Sequence, residues 1–175
     1  MLAHPQRMAE FSAWANVRLH AAAATLPAEA VAEDRGAFFD SILGTLNHIL
    51  LVDLLYRERL EGVAPGRFGA LNEILHADLG ALTEAQRASD AWYREYTAGL
   101  DGEALEKPVG FTTLLEEAEY WEVSHATYFS NLFQHQVHHR GQAHNMLSQA
   151  GIEPPPIGFI EFEVERGERI LRRPA

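Results

Sequence analysis

Apolar positions recur at three- and four-residue steps from the start of the chain. Met8, Phe11, Ala15, Leu19, Ala22 and Leu26 make one stripe over Gln6–Leu26, the mark of an amphipathic helix, and Pro27 stops it. A short acidic link follows. The segment from Gly36 to Leu60 is apolar nearly all round (Phe38, Phe39, Ile42, Leu46, Leu50 and Leu54 among others), which predicts a helix buried on several sides. Gly62, Pro65 and Gly66 end it. A third helix is expected over Leu71–Tyr96, where Leu71, Leu75, Leu79 and Leu82 lie near one face, and Gly99 and Gly102 close it. The stretch Lys107–Val123 is the least helical. Val109–Thr113 and Tyr120–Val123 are rich in β-branched and aromatic residues and predict a short hairpin or extended arms. Ser124 suits the N-cap of a long helix to Ala150, with Gly151 and Pro154 as its stop. The tail from Ile157 is read as a final strand or a short helix packed on the bundle.

These elements predict an all-α fold in one domain spanning residues 1–175, with no internal repeat. Composition narrows the function. A formal net charge of −11 argues against a surface built to neutralise phosphates, so nucleic acid is not an expected partner. No apolar run reaches the ~18 residues that a membrane span requires. The chain has no cysteine, which removes disulfides, a thiol nucleophile and thiolate zinc sites, and is compatible with the cytoplasm, the expected location.

The histidines carry the candidate chemistry. Four of the nine fall within Gln134–His144. At 100° per residue His135 and His139 point within ~40° of each other and stand ~6 Å apart along the axis, so both imidazoles can converge on one ion. Their face also carries Tyr128, Leu132, Gln142 and Met146. His138 lies ~80° away and His144 ~160° away, which makes them surface or supporting groups. His48, in the middle of the most apolar helix and preceded by Asn47, is the candidate third ligand. Gly44 and Thr45 one turn back are small and suggest room for a further ligand beside it. His4, His20, His76 and His125 are assigned to solvent or ordinary hydrogen bonding. The zinc-protease pattern His-Glu-x-x-His is absent, because its general base is replaced by Gln136.

Taken together, the stretches Phe38-Phe-Asp-Ser-Ile-Leu-Gly-Thr-Leu-Asn-His48, Phe133-Gln-His-Gln-Val-His-His-Arg-Gly-Gln142 and Gly151-Ile-Glu-Pro-Pro-Pro156, with Trp14-Ala-Asn16 ahead of them, resemble the DinB/YfiT-like family of metalloenzymes. The resemblance implies a four-helix bundle with up-down-down-up connections and a three-histidine metal site on His48, His135 and His139. It further implies zinc or nickel as the ion, frequent dimers, and chemistry on a low-molecular-weight thiol.

Three neutral imidazoles leave a divalent ion an open position, the layout of a catalytic site. The leading expectation is a metal-dependent thiol S-transferase acting on a small electrophile. The alternatives are a hydrolase using bound hydroxide and a non-catalytic metal-binding stress protein. Around the ligands, Gln142 could orient a ligand or substrate, and Asn47 could orient His48. Tyr128 shares the ligand face. Arg140 has two readings, a substrate carboxylate contact or a structural pair with an acid on another helix, and the second is favoured. Asp53 lies ~140° from His48 around its helix and is not expected to ligate.

Overall fold

The computed structural model describes residues 4–63, 67–114 and 117–167. Four long helices make the bundle: α1 (His4–Ala23), α3 (Ile42–Leu60), α4 (Leu79–Ala98) and α6 (His125–Gln149). Shorter elements lie between and after them: α2 (Ala28–Ala32), α5 (Gly102–Glu106), the strands β1 (Pro108–Thr112) and β2 (Tyr120–Ser124), and α7 (Phe159–Glu165). Among the described residues no helix is long and apolar enough to cross a membrane.

Side-chain pairs give the helix directions. Asn16 meets Asp90 and His20 meets Thr83, so α1 and α4 run antiparallel. His48 meets His135 and Tyr56 meets Asn131, so α3 and α6 are antiparallel as well. Asp53 meets Gln86 while Arg57 lies over the ring of Trp92, which makes α3 and α4 parallel. The order is therefore up-down-down-up. Apolar clusters fill the interior, one around Leu19, Leu46, Leu50, Leu82 and Leu147, another around Leu51, Tyr93, Phe129, Leu132 and Phe133, and a smaller one of Phe11, Ala15 and Phe162.

Parallel α3 and α4 force a connection that travels back along the bundle, and this corrects the expected third helix. Leu71–Asp78 belongs to that crossover. Helix α4 begins only at Leu79, where the Asp78 side chain accepts from the Ala81 amide. Leu71 and Leu75 fall in turns and bends, with Leu71 exposed, rather than on a helical face. Similarly, the helix expected from Gly36 begins at Ile42, because Ser41 caps it by accepting from Gly44 N at 3.0 Å. Residues 36–40 form a turn, with Gly36 and Asp40 both at positive φ (68° and 59°). Pro27 stands at the head of α2 instead of directly ending α1, and Gly102 opens α5. Pro65 and Gly66 lie outside the described residues.

The hairpin is present, with antiparallel register Pro108↔Ser124 to Thr112↔Tyr120. Ser124 caps α6, accepting from the Thr127 amide. At the other end Gly151 adopts φ 81° and the Ile152 amide returns to Leu147 O at 3.1 Å, closing the helix. The tail resolves as the short helix α7. It docks on α1 through Phe162, whose ring sits edge-on to Phe11 and Trp14 at 5.6 and 5.7 Å.

Candidate metal centre

Helices α3 and α6 bring His48, His135 and His139 together at their shared outer edge. One ligand-capable atom from each lies within 4.8 Å of the others, a group that could hold a metal ion. His48 Nε2 and His135 Nε2 are 3.0 Å apart. The centre of the buried stripe on α6 runs through Leu132, Gln136, Ala143 and Leu147, so the histidine pair stands at its margin. His135 accordingly keeps partial exposure while His48 and His139 are buried.

Hydrogen bonds at the far side of two rings decide which nitrogens remain available. His48 Nδ1 lies 2.8 Å from Leu71 O, and a carbonyl can only accept, so Nδ1 carries the proton and Nε2 keeps its lone pair. His139 Nδ1 lies 2.8 Å from Gln142 Oε1 with the same consequence. The Gln142 amide is itself oriented by donating to His138 Nε2 at 3.1 Å. His135 Nδ1 is buried with no hydrogen-bond partner among the described residues. All three rings are held neutral. Burial lowers His48 to about 4 and His135 to about 3, and each is pushed further by a neighbouring imidazole of the cluster. His139 is lowered chiefly by burial too. Neutral imidazoles with converging lone pairs form a donor set that suits a divalent transition-metal ion. Two imidazole nitrogens bound to one tetrahedral ion at ~2.0–2.1 Å stand roughly 3.3 Å apart, close to the observed Nε2 separation.

The surroundings explain some of the expected residues and correct others. Asn47 does not touch His48. Its amide donates to Leu43 O and His76 O at 2.9 and 3.0 Å, and its Oδ1 accepts from the His76 amide at 2.9 Å. It clamps the crossover onto α3, and the crossover then presents Leu71 O to His48. The room expected beside Gly44 is filled: a Cβ there would collide with the Phe39 carbonyl. Glycine lets that backbone approach closely, which lays the Phe39 ring on His48 with centroids 3.8 Å apart and planes 18° from parallel. Thr45 is completely buried. Tyr128 stands two turns from His135 and donates to Tyr56 O at 3.1 Å, with no described bond to the cluster.

Arg140 points into the bundle and is 1% exposed. Its Nη1 donates to Ser12 Oγ at 3.2 Å and Asn16 Oδ1 at 3.4 Å, and its charge faces Asp53 and Asp90. Those acids belong to a polar belt. Gln86 donates to Asp53 and Asp90, Asn16 donates to Asp90, and Gln136 donates to Asp53. Asp53 thus lies in the core rather than at the histidines. Periodicity placed it off the ligand face but carried no sign of these partners. Three of the other histidines take ordinary bonds: His20 with Thr83, His125 with Lys107 O, and His144 with Pro155 O.

The family model described as DinB family matches residues 1–169. Neither a curated protein nor a solved structure matches the chain.

Proposed function

The chain belongs to the DinB family, and from that premise we propose that it binds one divalent ion, zinc or nickel, through Nε2 of His48, His135 and His139, and uses it in thiol S-transfer to a small electrophile. One observation carries the reading: three neutral imidazoles converge within 4.8 Å, with two of their Nδ1 protons already engaged by Leu71 O and Gln142 Oε1. A divalent ion held there supplies positive charge that favours the anionic form of a thiol or water beside it. The protein contributes position and exclusion of water. Leu71 O and Gln142 fix the rings, and Phe39 covers His48 with an apolar face. Phe38, 84% exposed and edge-on to Phe39 at 4.9 Å, offers an apolar platform at the mouth for the electrophile.

Among the described residues the three-histidine group includes no carboxylate to act as a general base. This favours a thiol, acidic enough to ionise near neutral pH in a positive field, over water. The sulfur attacks the electrophilic carbon, the bond from that carbon to its leaving group breaks with the electron pair departing on the leaving group as an anion, and the thiol proton passes to solvent.

The test begins with metal analysis of protein purified without an affinity tag. His139→Ala should lose the ion and His144→Ala, bonded away from the cluster to Pro155 O, should keep it. Equal metal content in the two variants would remove the assignment. The loaded protein is then given cysteamine and 1-chloro-2,4-dinitrobenzene, where metal-dependent chloride release supports thiol transfer. Hydrolysis of p-nitrophenyl acetate without thiol replaces that reading with the hydrolase. Full metal loading with neither activity leaves a metal-holding protein.

A further inference from the structure

The chain carries 14 Lys and Arg against 25 Asp and Glu, and the acids around the C-terminal half of α3 are taken by specific partners. Arg57 holds Glu61 at 2.9 Å and Arg67 holds Glu58 at 2.7 Å. Arg59, between them on the helix, has no carboxylate in ion-pair contact among the described residues. Its Nη2 donates to Thr112 O at 3.2 Å, and its guanidinium lies 4.4 Å from the Phe111 ring centroid and 5.5 Å from that of Tyr56. A backbone carbonyl, two π faces and the Tyr128 hydroxyl hold the cation in place, with no opposite charge in ion-pair contact among the described residues. Guanidinium has five N–H donors, so this arrangement leaves donors over.

Arg59 lines a cleft of about 260 Å³ between α3 and the β1–β2 hairpin. Leu55, Val63, Phe111 and Leu114 supply apolar walls, Tyr120 stands at the rim, and Glu58, whose carboxylate is held by Arg67, also lines the cleft. The Tyr120 ring lies across Gly110, where any Cβ would collide with its hydroxyl, so the glycine permits this rim. Drug-sized ligands occupy roughly 300–1,000 Å³, which makes this a cleft for a smaller, metabolite-sized molecule. None of the three clustered histidines lines it. Leu55 stands seven residues beyond His48, about 10 Å along the same stripe of α3.

We propose that this cleft binds a small organic monocarboxylate, its carboxylate on Arg59 and its apolar body against Leu55, Val63 and Phe111. A strongly acidic chain repels anions over most of its surface, and with Glu58 already met by Arg67, an Arg59 that has no ion-pair partner among the described residues selects for one negative charge. A phosphate ester would bring a second charge with no cation to meet it, and a neutral molecule would leave the guanidinium without a counter-charge. The cleft shares no residue with the histidine cluster, so the inference stands apart from the metal reading.

Phenylacetate and its neutral isostere phenylacetamide are the probes, titrated into the full-length protein and followed by backbone amide NMR, before and after chelation. Phenylacetate should shift the amides of Val63, Phe111 and Leu114, and phenylacetamide should bind about tenfold more weakly or worse. Arg59→Gln should reduce phenylacetate to the level of the amide. Leu114→Glu, at a half-exposed rim position, should do the same by charge repulsion without altering Arg59. Equal affinity for the two probes, undiminished binding in both variants, or no shift at these amides would overturn the proposal. So would binding that disappears on chelation, since the carboxylate would then be sitting at the histidines.

Discussion

The bundle contains two buried polar clusters, on neighbouring positions of α6 (His135 and His139 beside Gln136 and Arg140), that treat their polar atoms in opposite ways. In the belt of Asp53, Gln86, Asp90, Gln136 and Arg140, opposite charges and amides face one another, and the acceptors are turned inward onto donors of the same belt. In the cluster of His48, His135 and His139, the donors are turned outward, onto Leu71 O and Gln142, and the lone pairs are left facing a common point. Both are costly to bury without partners. The belt meets its carboxylates with donors from the chain, although Gln86 Oε1, Gln136 Oε1 and Arg140 Nη2 have no partner among the described residues. The histidines leave theirs to come from outside, and this difference, more than burial itself, separates a structural polar core from a candidate binding centre.

The largest effect should come from breaking the belt. Arg140→Met keeps apolar volume but leaves Asp53 and Asp90 without their cation, and removing one partner from a buried charge group costs about 3–5 kcal/mol. Urea unfolding at pH 7.5 measures it. The loss should shrink at pH 5, because burial raises Asp53 to about 7 and Asp90 to about 6 and both acids then take protons. Metal affinity of the folded variant should change little. A loss of affinity with unchanged stability would reverse the roles assigned to the two clusters.

The histidine cluster should show the opposite pattern. Gln142→Leu removes the acceptor of His139 Nδ1, and loss of such a supporting bond lowers metal affinity about 10–100-fold. Because Gln142 is only half-buried, metal-free stability should move by no more than ~0.5 kcal/mol. Gln142→Glu keeps an acceptor at that position and should retain most of the affinity. Zinc calorimetry on the three proteins gives the answer, and unchanged binding in the leucine variant would remove Gln142 from the centre.

The contrast also bears on what could be read from residues alone. His135 and His139 were legible because two side chains four apart on one helix must point the same way, and His48 because a polar ring in an apolar helix needs a reason. Asp53 was correctly kept away from the ligands by the same periodicity. Its partners Gln86 and Asp90 were not legible, since nothing local links α3 to α4. The crossover was misread for a related reason. Leu71 and Leu75 repeat at a helical interval, yet the up-down-down-up order needs a return path there, and the chain makes it from turns and bends. Its decisive group at the centre, Leu71 O, is a backbone atom that no residue pattern reveals. Gly44 was read as space, whereas the Phe39 carbonyl occupies it.

The smallest expected effect is a difference in pH dependence, and the two clusters have opposite signs. The belt acids have folded pKa values raised above their unfolded ones, so the folded state holds extra protons between about pH 4 and 7 and stability falls as pH rises through that window. Buried histidines behave the other way. His48 is lowered to about 4 and His135 to about 3, so the unfolded chain holds the extra protons, and stability is lost as pH falls from 6.5 toward those values. In chelated protein the two slopes partly cancel below pH 6.5, and the belt alone acts just above it. Asp53→Asn removes one acid while keeping an acceptor for Gln86 or Gln136, whose own amide oxygens have no partners and can accept from the new amide if either side chain flips. The variant should therefore rise more steeply with pH from 5 to 6.5 than the parent, and stay level to pH 7.5 where the parent declines. Each proton contributes at most about 1.4 kcal/mol per pH unit, so urea midpoints at half-unit steps resolve the divergence. Parallel curves for parent and variant would mean that Asp53 is ionised throughout, with Arg140 outweighing its burial.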